Sequence, residues 1–273
     1  MENDPYRKTF GDTLVEIAKA GALKVAPYVL TVFKQGILAE EKKGYYDLVT
    51  EADRTTEALL TKHLSKAFPD SCFMGEENGV QGSGSVCWII DPIDGTNNFV
   101  SGLPLFCISI GAVVDEKAIA GVIYDPVRKE MFSASPGGAF LNGTRLQSSG
   151  PKNDHSSLIS IGFPYEGGNK KPAEIDLYRR IIENFQAVRR LGSTALELAY
   201  VAAGRIDVTF NTHANPWDVA AGLVLIEQSG GHYTVPRGST SPWKSPSFIA
   251  SCANFDLGGS VLKDVFDILL VRE

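Results

Sequence analysis

The sequence predicts a mixed α/β protein, a β-rich first half packed against a second half in which strands and helices alternate. Three observations carry this reading. Residues 106–114, 118–124 and 130–134 are apolar runs parted by turn residues, the pattern of consecutive strands. From about Pro151 short apolar runs alternate with stretches of helical spacing. Ahead of both, residues 10–25 and 50–68 repeat their apolar positions at helical spacing. A chain of 273 residues, 44% hydrophobic and 21% charged, suits one large domain or two intimately packed ones.

Taken in order, Phe10, Leu14, Ile17, Ala18, Gly21 and Val25 predict an amphipathic first helix that Pro27 kinks or divides. A second helix starts near Thr50 and runs through Leu59, Leu60 and Leu64 to about Phe68. Thr50-Glu51-Ala52-Asp53 resembles a capping box with Asp in the place of Glu. Trp88-Ile89-Ile90 reads as a strand ending at Asp91. The three apolar runs follow, and Phe140-Leu141-Asn142-Gly143-Thr144-Arg145-Leu146 adds a tight hairpin. Residues 158–162 are a strand and 174–185 a helix. Another strand ends at Leu191 before Gly192 and a helix that Thr194-x-x-Glu197 would cap. Residues 205–211 are a strand, and 216–229 a helix closed by Gly230-Gly231. The polar stretch 150–157 divides a half of residues 1–150 from one of residues 151–273.

Lys plus Arg number 26 against 32 Asp plus Glu, a formal net charge of −6, with no basic cluster to favour nucleic acid. The run 14–33 is interrupted by Glu16, Lys19, Lys24 and Pro27, so it does not read as a membrane span. Cys72, Cys87, Cys107 and Cys252 form no CxxC and lie near no His at zinc spacing. The opening Met-Glu-Asn-Asp-Pro-Tyr-Arg-Lys lacks the apolar core of a signal peptide. The expectation is a reducing cytoplasm and four free, mostly packed thiols.

The chemistry concentrates in Asp91-Pro92-Ile93-Asp94-Gly95-Thr96. A buried strand that ends in a rigid turn can aim both carboxylates at one point. Gly95 and Thr96 then offer N–H groups and a hydroxyl where a short helix could begin. Carboxylates gather hard cations such as Mg²⁺, and N–H groups at a helix start gather phosphate. The same residues also make an ordinary turn. They do not make a calcium loop, whose ligands alternate every two residues and end on a bidentate Glu. Glu76 and Glu77 in a turn, Asp53 and Asp218 in the first turns of two helices, each have a plain structural reading as well.

Together these segments resemble the inositol monophosphatase family. The resemblance runs from Asp47-Leu48-Val49-Thr50-x-x-Asp53 through Gly75-Glu76-Glu77 and the Trp88 to Phe99 stretch. It ends in Trp217-Asp218-Val219-Ala220-Ala221-Gly222 and, at its limit, Gly231. Gly137 to Gly143 is similar to the family's hairpin. The resemblance implies a five-layered α/β/α/β/α sandwich and a Mg²⁺-dependent, often lithium-inhibited phosphomonoesterase, usually a homodimer. It implies one metal on Glu76, Asp91 and the Ile93 carbonyl, and a second on Asp91, Asp94 and Asp218. A third, weaker ion would use Glu76 and, through water, Asp53. Gly95 and Thr96 would hold phosphate, Thr96 and Asp53 would orient the attacking water, and no side chain would act as nucleophile.

Substrate contacts fall by the same resemblance on Gly192, Ser193, Thr194 and Asn211. Asn211 stands where the family usually carries an acid, seven residues before Asp218. A neutral amide accepts fewer hydroxyl donors and pairs with no ammonium group. The expected substrate is a small polyol or sugar phosphate, inositol 1-phosphate-like, with histidinol phosphate or a sugar bisphosphate as alternatives. A non-catalytic regulatory or binding protein on the same scaffold is the alternative of another class.

Overall fold

The structure, a computed structural model, describes residues 5–36, 40–41, 48–162 and 172–270. Asp47, which opens the first motif, lies outside them. Helix α1 (Pro5–Gln35) leads to the paired strands β1 (Glu40–Glu41) and β2 (Leu48–Val49), and then to helix α2 (Glu51–Ala67). Strands β3 (Ser71–Gly75), β4 (Gly79–Gly82) and β5 (Val86–Asp94) follow, with helix α3 (Thr96–Val100) after them. Next come β6 (Cys107–Val114), β7 (Lys117–Asp125), β8 (Glu130–Ser135), β9 (Gly138–Leu141) and β10 (Thr144–Arg145). The second half holds β11 (Leu158–Ile161), α4 (Pro172–Asn184), β12 (Ala187–Arg189), α5 (Thr194–Ala202) and β13 (Val208–Asn211). It closes with α6 (Pro216–Gln228), β14 (His232–Thr234), β15 (Phe248–Ser251) and α7 (Val265–Leu270).

These elements stack in five layers. An eight-stranded sheet ordered β10-β9-β8-β7-β6-β5-β3-β4 carries α1 and α2 on its outer face. Its inner face meets α5 and α6, which also cover a five-stranded sheet ordered β12-β11-β13-β15-β14. Helices α4 and α7 close the far side. The alternation within β5 and β6 explains the arrangement. Trp88, Ile90, Ile108 and Ile110 point to the α1/α2 core, while Ile89 and Val113 point to α6. Both faces are covered, so the strands read as near-continuous apolar runs.

Pro27 does not divide the first helix. Val25 and Val29 are both buried on one stripe with Leu14, Ala18 and Ala22, and this packing carries the helix across the missing N–H. The 140–146 hairpin turns at Asn142 and Gly143, both with positive φ (49° and 81°), as a two-residue turn matching the strand twist requires. The strand expected over 205–211 is shorter, because Arg205 and Ile206 turn back onto the Tyr200 carbonyl.

The expectation of four free thiols is overturned. Cys72 and Cys87 are register partners on the parallel strands β3 and β5, and their sulfurs are bonded. Spacing along the chain could not show that two strands would set them side by side. Cys107 and Cys252 are free and buried. Among the described residues no helix is long and apolar enough to cross a membrane.

Two predictions follow from the packing. Denatured but unreduced protein should titrate with two thiols and reduced protein with four, measured by a chromogenic thiol reagent. A Cβ at Gly121 would collide with the Ala221 backbone, where α6 lies on the sheet. Gly121→Ala should therefore cost about 1–3 kcal/mol of unfolding free energy in a denaturant titration.

Candidate metal and phosphate site

The site is built where β5 ends. Regular alternation would send Asp91 and Asp94, three residues apart, to opposite faces of the sheet. The ladder instead pairs Asp91 with Ser109 and Asp94 with Cys107, so one extra residue is absorbed between them. Such a bulge puts both side chains on one face, and Pro92, which has no N–H to give a ladder, sits inside it. That face is the one Ile89 shares, toward α6, and Ser109 Oγ reaches the Trp217 carbonyl there at 3.3 Å. Asp218, in the first turn of α6, completes the cluster. Carboxylate oxygens of Asp91, Asp94 and Asp218 all lie within 4.8 Å of one another.

Each acid is held by the element that presents it. Asp91 Oδ1 accepts the Ile93 N–H at 3.1 Å. Asp94 Oδ2 accepts the Ser193 hydroxyl at 2.5 Å and the Ala195 N–H at 2.8 Å, with Cys107 Sγ at 3.6 Å. It thus serves the opening turn of α5 from another part of the chain. Asp218 Oδ2 accepts the Asn215 N–H at 2.7 Å. Asp53 does the equivalent on α2, where Thr50 N–H donates to Oδ2 at 2.8 Å in a capping box. Its Oδ1 takes the Thr96 hydroxyl at 3.3 Å. One oxygen of Asp53 thus serves the cap of α2 and the other meets Thr96.

Glu76 follows directly on β3, beside β5, and its N–H donates to the Ile90 carbonyl at 3.2 Å. Gly95 has φ +98°, a left-handed backbone that glycine adopts freely, and it turns the chain from the strand into α3. The Thr96 hydroxyl also lies 3.1 Å from the Ile93 carbonyl.

The residues expected to contact substrate make hydrogen bonds within the protein. Ser193 is buried and its hydroxyl is committed to Asp94. It occupies the cap position of α5, and Thr194 begins the helix instead of capping it. Thr194 Oγ1 accepts from Asn211 Nδ2 at 3.2 Å, and Asn211 Oδ1 accepts the His213 N–H at 3.0 Å. Asn211 is only 3% exposed, so its amide braces the turn beyond β13 at both ends. Gly192 packs against the Asn98 side chain, which donates to the Leu105 and Leu191 carbonyls at 2.7 and 2.8 Å.

Two glutamates lie beside the site, Glu57, which the sequence reading does not single out, and Glu197, which it gives only a capping place. Glu57 accepts from the turn after Glu76, and Glu197 from the segment before Ser193. The missed signal was position, since Glu57 shares the buried face of α2 with Asp53, Leu60 and Leu64. A carboxylate on an apolar helix face has a partner to explain it. Glu197 was read as a capping residue, but its carboxylate turns inward.

Burial and mutual repulsion dominate the electrostatics. Burial pushes the Asp91 carboxyl well above the usual range, with Glu76, Asp94, Asp218 and Asp53 adding to it. Asp218 is raised well above that range by desolvation, then by Asp94. Asp94 is raised by burial, against the donors that favour its ionised form. Burial lifts Glu197 to about 7 and pushes the Cys107 thiol far up, which keeps it neutral. Clustered oxygen donors that repel one another when ionised suit a hard divalent ion.

These shifts predict how the metal-free protein responds to pH. The aspartates ionise near 3.8 when unfolded but keep their protons to higher pH when folded. The native state then binds more protons than the unfolded one, so stability falls as pH rises from about 4 toward neutrality. Melting temperatures in EDTA should show that slope, and Asp218→Asn should flatten it and raise the neutral-pH value. Asp94→Asn should not raise it, because an amide would meet the donors of Ser193 and Ala195.

The model of the inositol monophosphatase family matches residues 11–264. The inositol-1-monophosphatase of Mesorhizobium japonicum is 41% identical over 211 residues, covering 76% of this chain and 79% of that one. The protein named Nus factor SuhB of Escherichia coli strain K12 is 39% identical over 193 residues, 70% and 72% of the two chains. Among solved structures, an IMPase of Thermotoga maritima superposes with a TM-score of 0.80 at 34% identity, covering 95% of this chain and 97% of that one. With the five-layered sandwich and the acidic cluster in place, the chain belongs to the inositol monophosphatase family.

Proposed function

We propose that the chain is a Mg²⁺-dependent phosphomonoesterase that hydrolyses a small polyol or sugar phosphate, inositol 1-phosphate-like. The observation that carries it is the convergence of Asp91, Asp94 and Asp218 oxygens within 4.8 Å beside the opening turn of α3. In this reading Glu76, Asp91 and the Ile93 carbonyl hold one ion, and Asp91, Asp94 and Asp218 a second. Mg²⁺ bound there supplies Lewis-acid charge that acidifies water and offsets charge on the phosphoryl and departing oxygens.

The chain's own groups do the positioning. The opening turn of α3, Gly95 and Thr96, orients the phosphate. The Thr96 hydroxyl lies 3.3 Å from Asp53 Oδ1 and 3.1 Å from the Ile93 carbonyl; in this reading it orients the attacking water, and Asp53 takes up the proton that leaves it. Phosphoryl transfer asks for little beyond such positioning and electrostatics, and no nucleophilic side chain is required. Cys107, the free thiol nearest the cluster, is buried and held neutral.

Asn211 leaves the alcohol side without the family's usual carboxylate, which favours a neutral polyol or sugar over a cationic amino alcohol such as histidinol phosphate. A homodimer and inhibition by Li⁺ belong to the same proposal. The name Nus factor SuhB, carried by several relatives, favours one second reading: a regulatory protein that keeps the scaffold without turnover.

A phosphate-release screen over inositol, sugar, histidinol and nucleotide monophosphates, with Mg²⁺ and with EDTA, separates the two. The expected outcome is Mg²⁺-dependent release, greatest on a polyol or sugar phosphate and abolished by chelator. Undiminished release in excess EDTA sinks the metal reading, and no release from any monoester favours the regulatory one. Asp218→Asn should cut turnover at least a hundredfold, about 2.7 kcal/mol of barrier. Retention of more than about a tenth, roughly 1.4 kcal/mol, removes Asp218 from the ligand set.

A further inference from the structure

Glu57 and Glu197 are each only 2% exposed, and neither belongs to the acidic cluster. Buried glutamates without cations are rare, so each needs a reason to be where it is. Glu57 lies one helical turn after Asp53. Its Oε2 accepts the Glu77 N–H at 2.8 Å, and its Oε1 accepts the Asn78 N–H at 3.0 Å and Asn78 Nδ2 at 2.8 Å. All three donors belong to the turn that begins with Glu76. The carboxyl sits so close under β3 that a Cβ at Gly75 would overlap it. Gly75 is thus the residue that lets Glu57 reach the turn.

Glu197 repeats the arrangement on the other side. Its Oε1 accepts the Leu191 N–H at 3.2 Å and its Oε2 the Thr209 hydroxyl at 2.9 Å. From Leu191 the chain passes through Gly192 to Ser193, whose hydroxyl meets Asp94. Glu57 faces N–H donors only, an environment that a carboxylate satisfies and an amide does not, because one end of an amide is itself a donor, whereas Glu197 faces one N–H and a hydroxyl that can also accept.

We propose that Glu57 and Glu197 are positioning residues of the metal centre. Glu57 fixes the turn that carries Glu76, and Glu197 fixes the segment that presents Ser193 to Asp94. The inference rests on the metal-dependent reading above. Groups that orient ligands without touching the ion commonly set metal affinity by tenfold to a hundredfold. The two sites share no partner and act on different ligands, so their effects should multiply.

The test measures Mg²⁺ binding by titration calorimetry on the full chain, alongside melting temperatures in EDTA. Glu57→Gln and Glu197→Ala should each weaken Mg²⁺ about tenfold or more. Activity at saturating Mg²⁺ should recover most of its wild-type level, because the reacting groups are untouched. Gly75→Ala should mimic Glu57→Gln, and combining the two should add little to either. Should a buried substitution fail to fold, Asn78→Ala removes one donor from an exposed turn and should weaken Mg²⁺ about threefold to tenfold. Glu116→Gln, at an exposed pair with Lys244, should leave binding unchanged. Lowered melting temperatures with unaltered Mg²⁺ affinity in Glu57→Gln, Glu197→Ala and Asn78→Ala would make both glutamates merely structural and overturn the inference. If the wild type itself binds no Mg²⁺, it is the metal-dependent reading that fails.

Discussion

Several carboxylates forced into one partly water-excluded corner set the terms for everything around them. Asp91 and Asp94 are nearly inaccessible, and Asp218 meets them from another half of the chain. Ionised together and without a counter-charge they repel, which is why burial and mutual proximity raise their proton affinities. The fold tolerates this because each acid is tied down by hydrogen bonds that do not depend on a cation. A divalent ion held in such a corner would relieve the repulsion and find its donors already gathered.

One irregularity in a ladder makes the corner possible. Had β5 continued its pairing with β6 without interruption, Asp94 would have faced α1 and α2. The extra residue between Asp91 and Asp94 sends it toward α5 and α6. The helices then settle the remaining distances. Asp53 and Asp218 stand at equivalent places in α2 and α6, each with one oxygen on the backbone N–H three residues before it. A side chain fixed by its cap in this way turns its second oxygen in a fixed direction.

The two sheets meet through α6, so the site depends on how closely that helix seats. Gly111 and Gly121 on the sheet, and Ala220 and Ala221 on the helix, keep the surfaces near enough that an added methyl collides with backbone. The same logic recurs at Gly75 and Glu57. Small residues around this site mark close approach, and buried glutamates mark where a turn must not drift.

Most of the architecture was legible in the chain. Period-two apolar runs, helical spacing and the Asn142-Gly143 turn carried the strands, helices and hairpin, because local backbone preference and burial of one or both faces write themselves into order along the sequence. The Asp91-to-Thr96 segment, Asp53 and Asp218 were legible for a related reason: caps, turns and strand ends are local. What tertiary structure alone decided is contact between residues distant in sequence. Only strand pairing brought Cys72 beside Cys87, only the bulge turned Asp94 to the side of Asp91, and only helix packing aimed Glu57 at a turn it does not adjoin. Ser193 and Asn211 belong there too, since a polar side chain near a site serves either the ligand or the protein according to which donors the fold places against it.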